Sequence, residues 1–279
     1  MKIPMKLPFK RALKKTVLKN LFQLSDYIDK LGRVDGQIIP PKSLWVLYGD
    51  ANLYESGLEF FKYFLDYCEL KRDGKVLDIG CNIGRMAFPL TAYLTSEGSY
   101  DGFDIMPVCI EYCQKNITPV YPNFNFQVAD IYSPYYNPEG TQTPEAYQFP
   151  FPDNHFDLVF SASVFTHLPP PAIKNYLKET ARVLKPGGYS LHTFFLVNEK
   201  SLASIKAGKS KINFKYQQKD GCMTTHPEIV EYCIGVPEKD ILTMHQEHNL
   251  QLTGDIFYGR WCDRPQFLGY QDMIVAKKY

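Results

Sequence analysis

The sequence predicts an α/β fold built on a doubly wound, mostly parallel sheet. Short apolar runs such as Val76–Ile79 and Phe156–Ser161 alternate with stretches of helical period. Near-continuous apolar strands are those buried on both faces, as parallel strands are, and repeated strand–helix alternation is how such strands connect. Most telling, Val76–Ile79 runs straight into a glycine turn, Gly80-Cys81-Asn82-Ile83-Gly84, and a helix start at Met86-Ala87-Phe88. A strand, a glycine turn and a helix N-terminus make the ligand-binding corner of an open α/β sheet.

In chain order, residues 1–31 hold eight basic residues against two acids, with Leu13, Val17, Leu21 and Leu24 at helical spacing. An amphipathic helix is expected from about Arg11 to Lys30. Its apolar stripe is narrow and lacks Trp, so the expectation is a helix packed on the domain and no stable membrane anchor. Pro40-Pro41 breaks the chain, and Trp45 to Asp50, with Tyr48 as a candidate acceptor contact, is a candidate lid. Residues 1–51 are therefore assigned to an N-terminal helical extension and 52–279 to the main domain. A helix is expected over Leu53–Glu69, then the first strand, a second over Tyr100–Ile105, a helix over Met106–Asn116 and a third strand over Phe124–Ala129.

Residues 132–152 form an insertion rich in proline and tyrosine; long ordered loops in compact domains tend to be functional. Phe156–Ser161 reads as a central strand, Ser161–Leu168 as the loop beyond it, and Pro169-Pro170-Pro171 as the opening of a helix. Lys185-Pro186-Gly187-Gly188 is expected as a turn into a strand over Tyr189–Val197. From Glu199 to about Gly235 the periodicity is lost. The lysines of 206–211 lack phosphate-loop spacing, which makes a solvated loop the expectation. A helix over Pro237–His248, a strand over Leu250–Tyr258 and a last strand over Tyr270–Lys277 close the chain, giving the sheet an antiparallel edge.

The chain has 279 residues, enough for a large core, and a formal charge of +1, which gives no global pull toward nucleic acid or membrane. Seven cysteines, scattered and without CxxC spacing, read as reduced thiols in a cytoplasmic protein; neither a disulfide frame nor a metal site is expected.

The chemistry concentrates around two acids. Asp78 stands two residues before Gly80, where it would repel a pyrophosphate and attract an ammonium or sulfonium. Asp104 ends the second strand, twenty residues past Gly84, where a carboxylate accepts ribose hydroxyls. Either acid alone is as readily a cap or turn residue; together, at this spacing, they specify a ligand with a ribose and a positive charge. S-adenosylmethionine has both. Asp130, at the tip of the third strand, is placed to accept from an adenine amine, with Ile131 against the ring; from position alone, a loop-start Asp fits as well. Ile105 joins the candidate cofactor contacts. Tyr135, Tyr136 and Phe165 are candidate acceptor contacts. His167, past the fourth strand, is a candidate general base, its competing role being to cap the helix opened by Pro169. His192, inside an apolar strand, reads as a core histidine.

These motifs, with Ala129-Asp130-Ile131, Phe151-Pro152-Asp153-Asn154-His155-Phe156-Asp157 and Arg182-Val183-Leu184-Lys185-Pro186-Gly187-Gly188, resemble the class I S-adenosylmethionine-dependent methyltransferases, in the small-molecule, type 11-like group. The resemblance covers residues 52–196 and, by pattern, the last two strands. It implies a Rossmann-like, seven-stranded sheet with the last strand antiparallel, one bound S-adenosylmethionine, and methyl transfer. It also implies roles: Asp78 near the methionine amine, Gly80, Cys81 and Gly84 in the turn, Asp104 at the ribose, Asp130 at the adenine and Ser161 beside the methionine end. The chain departs from the pattern at Asn82, where the turn's middle glycine usually stands; Asn tolerates left-handed backbone better than most residues. The Asp/Asn-Pro-Pro-aromatic run of nucleobase amino-methylating enzymes is replaced by Ser161-Ala162-Ser163-Val164, which disfavours DNA as substrate. The expected activity is methylation of a small-molecule or sugar-like acceptor, at oxygen, with residues 132–152 and 199–235 forming the acceptor side. A non-catalytic S-adenosylmethionine-binding subunit is the alternative. The expected partner is the small-molecule acceptor, without nucleic acid; a homodimer is left open.

Overall fold

A computed structural model describes residues 53–279. The expected helix over Arg11–Lys30 and the lid segment with Tyr48 lie outside the described residues. Six helices follow in order: α1 (Leu53–Tyr67), α2 (Ala87–Thr91), α3 (Pro107–Asn116), α4 (Pro170–Val183), α5 (Glu199–Lys206) and α6 (Glu238–Glu247). The main sheet comprises β1 (Lys75–Ile79), β2 (Ser99–Asp104), β3 (Phe124–Val128), β4 (Phe156–Ser161), β5 (Leu184–Phe194), β10 (Leu250–Leu252) and β11 (Asp272–Lys278).

Its spatial order is β10-β11-β5-β4-β1-β2-β3, and only β11 is reversed, running antiparallel to both neighbours. This is the expected seven-stranded, mostly parallel sheet. Strand alternation feeds two apolar layers. Leu77, Ile79, Phe103, Val159 and Phe194 point into the layer covered by α4 and α6. Val76, Tyr100, Leu158 and Phe160 point into the layer under α1, α2 and α3, where the Phe64 and Phe160 rings meet at 4.6 Å. With both faces covered, the ligand-accessible part of the sheet is its edge.

Three expectations need correction. The turn at Lys185–Gly188 lies inside β5: pairing jumps from Phe156↔Leu184 to Leu158↔Tyr189, and Gly187 takes φ +80° to absorb the extra residues. The strand expected over Leu250–Tyr258 ends at Leu252. Beyond it Thr253 still bonds Val275 and Phe257 pairs with Met273, so the longer intervening segment with exposed Gly254-Asp255 arches off the ladder. Residues 199–235 are not patternless. Asn198 and Ser201 form a reciprocal capping box that opens α5. A second sheet, ordered β6-β9-β8-β7, joins β6 (Leu196–Val197), β7 (Tyr216–Gln217), β8 (Met223–Thr224) and β9 (Ile234–Pro237). Strands of two residues are too short to show a period.

The small sheet is held at the carboxyl end of β5 by a buried acid. Asp272, at the start of β11, accepts from Leu196 N (2.7 Å), Gly259 N (2.8 Å) and Trp261 Nε1 (2.7 Å). Burial raises its pKa to about 6, while the three donors act in the opposite sense. Hydrogen bonds to a charged group are worth about 1.5–3 kcal/mol each, which fixes the small sheet on the same edge as the cavity described next.

Candidate functional site: a cavity at the carboxyl edge of the sheet

The turn after β1 has three residues at positive φ: Gly80 (+76°), Asn82 (+48°) and Gly84 (+75°). The Asn that replaces a glycine does adopt the left-handed conformation. A Cβ at Gly80 would lie 2.4 Å from Val164 Cγ2, and one at Gly84 2.8 Å from Ile117 Cδ1. The first glycine lets the loop after β4 close on the turn, and the second seats the turn on α3. Gly80 N and Cys81 N both donate to Phe103 O, at 2.9 and 3.1 Å, tying the turn to β2.

The turn, the tip of β2 and the loop after β4 surround a cavity of about 250 Å³. Asp78, Gly80, Cys81, Asp104, Ile105 and Ile131 line one part of it. Asp104 Oδ2 accepts from Asn82 N and Oδ1 from Met106 N, each at 2.9 Å, so the carboxylate is aimed and held. Burial raises its pKa to about 6 against those two donors. Asp78 takes a hydrogen bond from Tyr100 Oη at 2.5 Å. Burial raises it to about 7; the Tyr100 hydroxyl and the Arg85 charge pull the other way. Asn82 Oδ1 is buried in the cavity wall without a hydrogen-bond partner. Two carboxylates and an orphaned amide oxygen make an acceptor-rich surface, which fits a ligand carrying hydroxyls and a cationic amine.

The other part of the cavity is aromatic. Tyr132, Tyr136, His167 and Tyr176 line it. His167 sits on a single 3₁₀ turn, Phe165–His167. Its Nδ1 lies 2.9 Å from Glu231 O. A carbonyl only accepts, so Nδ1 carries the proton and Nε2 is left as an acceptor. Nε2 faces Tyr136 Oη at 3.5 Å. Burial lowers the pKa of His167, and the backbone carbonyl bond only partly offsets it, so the ring is neutral at neutral pH. Tyr135 packs edge-on between Tyr136 (4.7 Å) and Tyr232 (5.4 Å), joining the insertion to the small sheet.

Residues 76–188 match the family model described as a methyltransferase domain. These residues form a methyltransferase domain, similar to those of the class I S-adenosylmethionine-dependent enzymes. Among curated relatives, phosphoethanolamine N-methyltransferase 3 of Arabidopsis thaliana is 29% identical over 56% of this chain and 28% of its own. A fatty-acid O-methyltransferase of Mycolicibacterium smegmatis is 33% identical over 43% of this chain and 36% of its own. The chain thus spans less than half the length of either. A solved protein of Pyrococcus horikoshii shares the fold with a TM-score of 0.56 at 19% identity, covering 82% of this chain and 93% of its own.

Within the methyltransferase domain the expected site residues divide. Asp78, Gly80, Cys81, Asp104, Ile105, Ile131, Tyr136 and His167 line the cavity. Gly84 does not; it lies behind the turn against α3. Asp130 does not; it is exposed, and its two oxygens accept from Thr141 N (3.0 Å) and Thr141 Oγ1, closing the insertion. Ser161 is fully buried with Oγ 2.8 Å from His192 Nδ1. It follows Val159 on its strand face and so points into the α4–α6 layer, below the cavity. Phe165 is also fully buried, stacked on His192 at 4.6 Å, and Tyr135 backs Tyr136 from outside the cavity. His192 is the core histidine it was expected to be. Ser163, two residues on, does line the cavity, at φ +65°; its N donates to Thr193 Oγ1 and its Oγ donates to Gln271 Oε1. Asn82, Tyr132, Ser163 and Tyr176 are cavity residues missed from the sequence alone; Asn82, as the departure from the glycine pattern, and Tyr132, at the start of the tyrosine-rich insertion, gave a signal.

Proposed function

We propose that this chain methylates a small-molecule acceptor at oxygen, with His167 as the general base. The observation that supports this reading most is the fixed tautomer of His167, a cavity-lining residue whose Nδ1 is committed to Glu231 O and whose Nε2 is left as an acceptor beside Tyr136 Oη. S-adenosylmethionine, when bound, supplies an electrophilic methyl on a sulfonium. The residues suited to hold it are Asp104 toward the ribose hydroxyls, Asp78 toward the cationic amine, and Asn82 Oδ1 as a further acceptor. Ile105 and Ile131 offer apolar surface to a flat ring. On the acceptor side, Tyr132, Tyr136 and Tyr176 exclude water and orient an organic molecule, and His167 Nε2 takes the hydroxyl proton as the oxygen attacks. Positioning alone lowers such a barrier by about 7–11 kcal/mol in favourable cases, and a base adds about 10²–10⁴-fold.

A second reading is methylation at nitrogen. The plant relative's name specifies an N-methyltransferase, and a neutral imidazole also removes the proton of an ammonium. Incubating the protein with methyl-labelled S-adenosylmethionine and fractionated metabolite extract, followed by mass spectrometry of the labelled product, decides between the two. An O-methyl ether or ester supports the first reading, and an N-methyl product replaces it with the second. Labelled cofactor that binds without any labelled product would instead favour a non-catalytic binding subunit.

A further inference from the structure

Charge is distributed very unevenly along this chain. Between residues 200 and 219 there are six lysines and no acid, with Glu199 and Asp220 at the two borders, although the whole sequence balances 31 basic against 30 acidic residues. The rest of the protein is therefore net acidic. All six (Lys200, Lys206, Lys209, Lys211, Lys215 and Lys219) are exposed. None of them enters an ion pair among the described residues.

The stretch is ordered from below. It starts in α5, which leaves β6 at the carboxyl end of β5, and it crosses to β7, the opposite edge of the small sheet. Midway, Lys211 N donates to Trp261 O at 2.8 Å. Phe214 is fully buried against Phe195 (5.8 Å) and Trp261 (5.6 Å). The lysines thus ride on a fixed backbone. Leu202 and Tyr216 stand exposed among them, each at 43%. The same small sheet carries, on the segment between β8 and β9, Glu231 and Tyr232, which hold His167 and Tyr135.

We propose that α5 and the lysine-rich segment following it form a peripheral docking face for an anionic lipid surface. Three features favour a bilayer over an acidic protein or a nucleic acid. The segment has lysine and no arginine; lysine is a hydrated point charge suited to a fluid layer of headgroups, whereas fixed phosphate recognition favours the arginine fork. An exposed leucine and tyrosine between the charges suit the boundary of headgroups and acyl chains. The charges are spread along some twenty residues of surface and do not converge on a pocket. Each lysine near an anionic bilayer strengthens binding by about fivefold, an effect lost within a Debye length. Adsorption is therefore cooperative among the lysines, reversible and salt-sensitive, unlike a stable anchor. It does not depend on which acceptor is methylated.

The test is co-sedimentation of the full chain with phosphatidylcholine vesicles with and without phosphatidylserine, near physiological salt. The comparison is with the full-length variant Lys206→Gln/Lys209→Gln/Lys211→Gln/Lys215→Gln. The wild type should bind the anionic vesicles alone, and the variant should lose at least about a hundredfold in affinity with an unchanged melting temperature. The corresponding single substitutions, which leave the fold intact, should each lose about fivefold. Leu202→Ser should weaken binding most at high salt, where the apolar contact carries it. Equal binding to neutral vesicles, or no binding to anionic ones, would overturn the proposal. So would undiminished binding by the lysine variants, which would move the interaction to another part of the chain. Tighter retention of a mixed-sequence oligonucleotide than of the vesicles would replace the lipid with a nucleic acid.

Discussion

The two ends of the cavity are built by different means. At the proposed cofactor end, carboxylates on β1 and β2 are aimed by groups on the adjacent strand and its turns: Asn82 N and Met106 N hold Asp104, and Tyr100 holds Asp78. At the acceptor end, His167 is aimed by a carbonyl 64 residues away and screened by aromatics from the insertion, α4 and the small sheet. The first end is rigid because it is part of the main sheet. The second is rigid only while the insertion and the small sheet stay docked.

The sharpest way to separate the ends is His167→Ala. Turnover should fall by about 10²–10⁴-fold with cofactor affinity unchanged, because the ring touches the acceptor side only. His167→Gln, which restores a donor toward Glu231 O but no base, should fold equally well and stay equally slow. A loss under about threefold would leave positioning as the whole mechanism. The next largest effect belongs to the other end. Asp104→Ala removes a buried acceptor whose two oxygens are already oriented, so S-adenosylmethionine affinity should fall by about 1.5–3 kcal/mol, or roughly ten- to a hundredfold. Calorimetry reads it directly, and an unchanged dissociation constant would contradict the placement of the ribose.

The ends should also part in their response to pH. Burial raises Asp78 to about 7 and Asp104 to about 6. Native carboxylates that hold protons above their unfolded pKa stabilise the empty domain at low pH, and that contribution is lost as pH rises through about 6 to 7. The ionised forms are what a cationic, hydroxyl-bearing ligand needs. Affinity for S-adenosylmethionine should therefore rise by about tenfold between pH 6 and pH 8, with proton release on binding. His167 moves the other way: burial lowers its pKa, so its base form persists into mildly acidic solution. The acid limb in the KM for cofactor should accordingly lie at higher pH than the one in kcat at saturating cofactor. A kcat limb at the same pH as the KM limb would contradict this order.

The same division governs what the sequence reveals. The order of elements through β4 follows from apolar runs of five or six residues and from the turn chemistry between them. Asp78, Asp104 and the strained turn are legible because their partners lie on adjacent strands at fixed spacing. The small sheet is not legible, since its strands are two to four residues long. Nor is the bond from Glu231 O to His167, which is set by tertiary docking of distant segments. Ser161 is a different case: it ends β4 at the carboxyl edge of the sheet, but strand alternation turns its side chain toward His192. A residue's position in a motif fixes its height on the sheet; its strand parity fixes its face.

Asp130 carries the smallest predicted effect, and it tests that distinction. It occupies the motif position of an adenine contact, yet both its oxygens are taken by Thr141 at the mouth of the insertion. If the side chain is committed there, Asp130→Ala should leave S-adenosylmethionine affinity within about twofold, the scale of exposed substitutions. The change should be felt at the acceptor end instead. The Asp130–Thr141 bonds close the loop that carries Tyr136, so the KM for the acceptor should rise while the cofactor constant stays put. Asp130→Asn, which keeps an acceptor for Thr141, should recover most of that KM. A loss of cofactor affinity comparable to that of Asp104→Ala would show that Asp130 turns into the cavity when ligand is present. The insertion would then belong to the cofactor end, and the boundary between the two ends would have to be redrawn.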